Sequence, residues 1–596
     1  MKFKKNQFLN VVSFVLNSSK SLVFAVFFQK LIVGLIPAFM VISISKFIDT
    51  VLSVFNNKLD IKNVYPALFS IIVLLFFSLL SEKIIYFANI KITNKLRINL
   101  SSLIFKKYAS LEYKHLEAPE TTDLILRCTM APETNLMTTF ENICNFFSLV
   151  LTVLSVVVIV LSYVWWVGIL LIVFCIPLFR IALKSGKANY QANVEVTNYN
   201  KKYLYLSEVL TGRNSVEERY LFGFEELLNS KWKDNFEKAR KILFITEFKW
   251  FAKMKSGSLI MSVIALITTL TALPAVYDGK ISIGIFIAMV STVYALVNRM
   301  ALEFTTLVDN ITKGLYYTSD LQEFLNLSED EGAMVKPSAK PLQLEKIEFK
   351  DVSFKYPNTD KYVLKNFSLT IENGKHYAIV GINGAGKTTM VKLLTGLYKE
   401  FEGQILINQK NISEYTPAEL KSLCSIAYQD FSRYETTLNK NIAIGNINKM
   451  IAENAEEDFN KAVELLELNE LIDTLPQKSD THLGKIKKDG VDLSGGQWQK
   501  IAIARLFNNP GALKILDEPT AALDPITESK LYEKFEKVFK GKTTLFISHR
   551  LGSTKLANVI FVINDGKVQE KGNHEELMNL NGTYSLLYKS QRSWYD

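Results

Sequence analysis

The stretch Tyr377-Ala-Ile-Val-Gly381-Ile-Asn-Gly-Ala-Gly-Lys387-Thr388-Thr389-Met390-Val391-Lys392-Leu393-Leu394 passes from an apolar tetrad through a glycine-rich loop into apolar residues at helical spacing. It reads as strand, loop and helix, the setting in which a G-x-x-x-x-G-K-T loop holds phosphate. Gly381, Asn383, Gly384, Ala385 and Gly386 supply backbone N–H groups around the anion. Lys387 adds a point charge, the Thr388 hydroxyl is a ligand for Mg2+, and Thr389 completes the helix start. The chain contains its own control. Gly541-Lys542-Thr543 also reads GK-T, but it lacks the first glycine and runs into the strand-like Leu545-Phe546-Ile547, so it is rejected.

At 596 residues the chain exceeds what one core supports, and hydropathy divides it. Six apolar segments have membrane-spanning length: Ser21 to Ser45, Tyr65 to Ala88, Asn145 to Tyr163, Val164 to Ala182, Phe251 to Val276 and Ile281 to Leu302. Beyond about residue 305 the apolar runs shrink to strand length. Basic residues cluster after the second span (Lys91, Lys95, Arg97, Lys106, Lys107) and after the fourth (Lys184, Lys187, Lys201, Lys202, Arg213, Arg219), which predicts that these segments, both termini and the phosphate loop face the cytoplasm. A net charge of +10 is then the basic flank of a multi-pass protein in the plasma membrane, with the lipid bilayer as its partner and no nucleic acid. Residues 1–20 carry no signal-peptide cleavage pattern and read as an amphipathic helix at the membrane surface. Cys128, Cys144, Cys175 and Cys424 have no metal-ligand spacing.

The expected organisation is an all-α membrane domain over 21–327, a polar linker over 328–341 and an α/β P-loop domain over 342–596. Two polar excursions, about 89–142 and 183–250, read as helical continuations of the spans, interrupted at Pro119 and Gly212. The segments His115 to Asp123 and from Glu208 to Arg213 onward read as short contact helices at the far ends of these excursions. In that domain the strand-like runs at 347–354, 376–380, 403–407, 513–517, 544–548 and 559–563 alternate with helical segments, the rhythm of a three-layer α/β fold. Lys514 interrupts one run and is read as a lysine that snorkels from a strand start.

Several short motifs follow in fixed order. They are Tyr356 before Pro357, Gln429, Leu493-Ser494-Gly495-Gly496-Gln497, Asp517-Glu518 closing the run from Leu513, Ala522-Leu523-Asp524, and His549. Singly each has a bland explanation: a turn tyrosine, a carboxylate pair capping a helix, a structural histidine. In this order the chain resembles an ATP-binding cassette exporter half, six membrane helices fused to one nucleotide-binding domain. The resemblance implies ATP and Mg2+ as ligands. It implies Tyr356 stacked on adenine, Thr388, Gln429 and Asp517 at the metal, Glu518 beside the attacking water, His549 as a switch, and Asp524 in a contact between subunits. Ser494, Gly495, Gly496 and Gln497 would complete the phosphate site of another subunit.

One cassette and six spans therefore imply a dimer, and the intact Glu518 and signature favour a homodimer over a heterodimer. Tyr428-Gln429-Asp430-Phe431-Ser432-Arg433 and the Trp498 that follows the signature are similar to bacterial exporters of antimicrobial peptides of the nisin type. The expected activity is an ATPase driving a modified or other amphipathic peptide out of the cytoplasm of a bacterium. A lipid or multidrug exporter is the alternative, and a nucleotide-gated regulatory subunit that does not pump is a third. Lys30, Glu82, Lys83, Lys253, Lys255 and Arg299 interrupt the spans and are expected at a polar cavity or at the interfaces.

Overall fold

A computed structural model describes residues 5–163, 165–299, 303–451, 456–518, 541–548 and 553–592, with backbone alone over parts of the membrane helices. The chain divides into two compact units, Met1–Lys107 with Pro119–Leu327, and Tyr108–Ala118 with Ser328–Asp596.

The first unit is helical: α1 (Lys5–Ser18), α2 (Lys20–Phe55), α3 (Val64–Ser110), α4 (Tyr113–Glu117, which belongs to the second unit), α5 (Pro119–Thr129), α6 (Pro132–Tyr163), α7 (Trp165–Thr211), α8 (Val216–Phe222), α9 (Glu225–Tyr277), α10 (Ile283–Arg299) and α11 (Thr305–Leu325). Among the described residues, α2, the helix through Ile61–Ser110, and α6 are long and apolar enough to cross a membrane. α3 and α7 run on past the apolar segments as far as Ser110 and Thr211, and α9 starts at Glu225, well before its apolar segment. At 1.5 Å per residue the 53 residues of α9 extend about 80 Å, far more than a bilayer needs. Pro119 opens α5, where its missing N–H costs nothing, and α7 stops at Thr211 before Gly212.

Close backbone approach holds these helices together. A Cβ at Gly34 of α2 would lie 2.6 Å from the Ser148 carbonyl of α6, and the Thr152 hydroxyl donates to the Gly34 carbonyl at 2.9 Å. Val11 and Val15 of α1 are fully buried where the helix packs on α6 and α11, while Phe8 and Leu9 stay exposed.

In the second unit, β1 (Lys346–Lys355), β2 (Tyr362–Glu372), β4 (Glu402–Ile407) and β5 (Lys410–Asn411) form an antiparallel sheet in the order β2-β1-β4-β5. A six-stranded sheet has the order β10-β9-β3-β8-β7-β6, with β3 (His376–Val380), β6 (Cys424–Ala427), β7 (Leu513–Asp517), β8 (Thr543–Ile547) and β9 (Val559–Asn564) parallel and β10 (Lys567–Gly572) antiparallel at one edge. Every residue of β7 and β8 is buried, as a parallel sheet covered on both faces demands. Thr543 opens β8, so the second GK-T sits at a strand start and not in a phosphate loop. The residues expected to be a simple linker are pinned. The Lys421 amine donates to the carbonyls of Gly332, Ala333 and Val335 at 2.7, 2.8 and 2.9 Å.

Lys514 departs from the sequence reading. Its side chain does not snorkel to water; it is 3 % exposed, and its amine donates to the carbonyls of Leu506 (3.2 Å) and Asn509 at the end of the helix Gly495–Asn508. Burial, then the charge of Lys542, pushes the amine down to about 7. A depressed lysine opposes folding at every pH below its unfolded pKa of ~10.4, most fully below 7, and the penalty is relieved as pH rises from 7 towards 10. Across that window Lys514→Met should remove a component of stability that rises with pH by up to ~1.4 kcal/mol per unit. Denaturant unfolding of both chains at pH 7, 8.5 and 10 checks this; identical slopes would mean that Lys514 is charged and solvated.

Candidate active site

Parallel strands deliver their carboxyl ends to one edge of a sheet, and here four of them do. β3 leads into Gly381–Gly386, β6 into Tyr428 and Gln429, β7 ends at Asp517, and β8 runs into Ser548. Tyr356, Asn383, Gly384, Ala385, Gly386, Lys387, Thr388, Thr389, Gln429, Asp517 and Glu518 consequently line one cavity of 530 Å3.

The loop's glycines have separate reasons. Gly384 has φ +80° and open space where a Cβ would be, so it meets a backbone requirement and leaves room for a ligand. Gly386, at φ +104°, would put a Cβ 2.7 Å from Leu364 and 3.2 Å from the Val363 carbonyl, so β2 forms the wall. Val363 lines the cavity as well, although a valine near the start of a strand signals no chemistry in a sequence.

Lys387 begins the helix Lys387–Leu394 (α12) and is buried. Its amine donates to the carbonyls of Gly381 (2.9 Å) and Ile382 (3.1 Å), so the lysine braces the loop that precedes it. Burial lowers its pKa, against the opposing fields of Glu518 and Asp517. Asp517 is shifted the other way: burial first, then the neighbouring Glu518, raises its carboxyl to about 6, with Lys387 opposing. Glu518 is held at φ +50°, a left-handed conformation costly for a residue with a side chain, by about 1–3 kcal/mol. Its N–H donates to the Ile547 carbonyl of β8 at 2.9 Å, and the Gln499 amide reaches its carbonyl at 3.5 Å. Asp517 lies in the strand and Glu518 just past it, so their side chains leave in different directions.

The Tyr356 hydroxyl is 2.9 Å from Thr389 Oγ1, and its ring meets Phe354 and Tyr398 edge-on at 5.2 and 5.5 Å. Lys392 of α12 lies 5.5 Å from the centre of that ring and 5.1 Å from that of Tyr113 in α4. The same amine pairs with Glu117 at 2.6 Å, and Tyr398 donates to the other Glu117 oxygen. Burial opposes ionisation of Glu117, but hydrogen bonds from Lys392 and Tyr398 hold its carboxyl below the usual range. The contacts of α4 thus run to Lys392 and Tyr398, residues with no motif to mark them, and through them to Tyr356.

The signature residues are elsewhere. Ser494 caps the helix Gly495–Asn508: its hydroxyl accepts from the Gln497 N–H at 3.3 Å, and the Gln497 side chain accepts from the Ser494 N–H at 2.9 Å. Ser494, Gly495, Gly496 and Gln497 are not among the residues lining the phosphate-loop cavity. Trp498 is 1 % exposed and packs with Leu438, Ile442 and Ile501 in the core of the helical part of this unit. Asp524 and His549 lie outside the described residues. Among the described residues no group of three or more His, Cys, Asp or Glu side chains forms a metal cage. The hydroxyl of Thr388, the amide of Gln429 and the carboxylate of Asp517 make a hard oxygen set of the kind that holds Mg2+ jointly with a nucleotide's phosphates.

A phosphate loop after β3, a carboxylate pair at the end of β7 and a separate capped signature helix, fused to long membrane helices, define an ATPase built to drive a membrane domain. Residues 364–521 match the family model described as ABC transporter. The chain is 33% identical over 521 residues to the subtilin transport ATP-binding protein of Bacillus subtilis, covering 87% of this chain and 83% of that protein. It is 27% identical over 518 residues to the nisin transport ATP-binding protein of Lactococcus lactis subsp. lactis, covering 84% and 83%. An ATP-dependent lipid A-core flippase of Mannheimia succiniciproducens is 33% identical over 337 residues, 56% of this chain and 55% of that one. The solved structure of a bacterial Atm1-family ABC exporter with ATP bound has the same fold, with a TM-score of 0.77 over 96% of this chain and 99% of that one at 20% identity. The chain belongs to the ABC transporters: it is a multi-pass membrane exporter whose ATPase domain binds ATP and couples hydrolysis to transport.

Proposed function

We propose that this exporter works as a homodimer in a bacterial plasma membrane, with its nucleotide domain and both termini cytoplasmic, and that it moves an amphipathic peptide outwards. The observation that carries the peptide reading is the extent of similarity. The match to the subtilin transporter spans 521 residues, about twice the length of the nucleotide domain, and so takes in most of the membrane domain that handles cargo. The match to the lipid A-core flippase spans 337.

In this reading Lys387 and the loop from Gly381 to Gly386 bind the β- and γ-phosphates, and Tyr356 stacks on adenine. Thr388, Gln429 and Asp517 hold Mg2+, which neutralises charge on the phosphates. Glu518 orients and deprotonates the attacking water, and its strained, twice-pinned backbone fixes where that carboxylate starts. His549 and Asp524 keep the roles that the family resemblance gives them. Because Ser494 to Gln497 do not line the cavity of their own chain, a second copy supplies that wall. The helix Val216–Phe222 supports the dimer, since Tyr220, Leu221 and Phe222 are 90, 75 and 67 % exposed, an apolar cluster that requires a cover.

Inside-out vesicles test the cargo. ATP-dependent uptake of a labelled nisin-type precursor peptide is expected with the native chain and absent with Glu518→Gln. Translocation of a fluorescent lipid without uptake of the peptide would transfer the protein to the lipid-exporter alternative.

A further inference from the structure

The structure separates the charged residues that interrupt the spans. Lys253 and Lys255 lie over the rings of Trp250 and Phe251, at 4.7 and 5.4 Å from their centres, and Glu82 and Lys83 are exposed on α3. Lys30 and Arg299 instead meet in a cavity of 410 Å3 within the helical unit, walled by Lys30 and Val33 of α2, Asn145 and Ser148 of α6, Arg299 at the end of α10, and Glu303, Thr306 and Leu307 entering α11. Three stretches distant in sequence, in α2, in α6 and from the end of α10 into α11, deliver these groups to one place.

Lys30 is ten residues into α2, about 15 Å along its axis, beyond the reach of a lysine stem to the start of the helix. Among the described residues it makes no hydrogen bond or ion pair. Glu141, whose field reaches Lys30, is held by Asn89 Nδ2 at 2.6 Å. Arg299 donates from Nε to Glu303 at 3.0 Å, which leaves the two terminal amino groups of its guanidinium without a partner among the described residues. An ammonium in an apolar span is costly unless an anion meets it, the half-used guanidinium of Arg299 lines the same cavity, and Val33 and Leu307 give that cavity an apolar wall. We propose that this cavity binds the anionic group, carboxylate or phosphate, of an amphipathic cargo, with Lys30 as the principal contact and Arg299 as the second. The proposal rests on the exporter assignment and not on the peptide reading.

The test needs no identified cargo. In a chain whose four native cysteines are replaced by alanine, Asn145→Cys and Thr306→Cys place reporters in the wall. Their reaction rates with an anionic (sulfonatoethyl) and a cationic (trimethylammonioethyl) methanethiosulfonate, each divided by its rate with free cysteine, read the local potential. The anionic reagent should be favoured by about 10-fold, Lys30→Gln should erase most of that preference, and Lys30→Arg should restore it. N-lauroylglycine and monododecyl phosphate should slow labelling where the neutral N-lauroylglycinamide does not. Protection by the first alone assigns a carboxylate, by the second alone a phosphate, and by both the shared class. No anionic preference at either reporter, or equal protection by the neutral amphiphile, overturns the site. Because the rate ratio in the chain with Lys30 intact decides the matter, a Lys30→Gln chain that misfolds leaves the test standing. Peptide uptake is measured separately, and its failure alongside an anionic preference would revise the cargo alone.

Discussion

Glu518→Gln should bind ATP as tightly as the native chain and hydrolyse it about 10²–10⁴-fold more slowly, the usual cost of losing a general base. The substitution keeps the size and hydrogen-bonding reach of the side chain. The left-handed backbone at φ +50° and the hydrogen bond from the Glu518 N–H to Ile547 involve no carboxylate, so the fold of the site is retained. The lost charge also sits beside Asp517, whose carboxyl burial and Glu518 together raise to about 6. In the Glu518→Gln chain Asp517 should ionise at lower pH, so metal-dependent nucleotide binding in the variant should persist to more acidic conditions. Phosphate-release assays and titration with a fluorescent ATP analogue at pH 6 and 7.5 separate the two effects. Native turnover in the variant would remove Glu518 from the reaction.

Lys387→Ala should act on binding itself. Loss of one charge-assisted phosphate contact is worth about 1.5–3 kcal/mol, or roughly a 10- to 150-fold weaker affinity for ATP. The lysine also donates to the carbonyls of Gly381 and Ile382, so the loop loses its brace and part of the effect is loosened preorganisation. Lys387→Arg, which keeps charge but not the compact ammonium, should restore little. Mixing Lys387→Ala chains with Ser494→Ala chains tests the shared site: in a mixed dimer one composite site carries both lesions and the other carries neither. Partial ATPase activity should return. Ser494→Ala also removes a helix cap worth about 1 kcal/mol, so its unfolding midpoint is measured in parallel. No recovery in demonstrated mixed dimers would argue against sites built from two chains.

Much of this protein was legible in its sequence for local reasons. Twenty-residue apolar runs have few folded options other than membrane helices, Pro119 must end a helix or begin one, and the P-loop spacing binds phosphate only between a strand and a helix. Those features depend on contacts within a few residues, and the order of the motifs along the chain then selects the family. Sequence could not say that Lys514 would be buried, because whether a lysine in a strand reaches water depends on which helix end covers it. Here that is the end of Gly495–Asn508. Nor could it find Lys392, Tyr398 and Glu117 beside Tyr356, or bring Lys30 of α2 to Arg299 at the end of α10. Charge and aromatic contacts of this kind are fixed by the packing of elements distant in the chain, and a side chain's chemistry alone does not reveal which partner the fold will place against it.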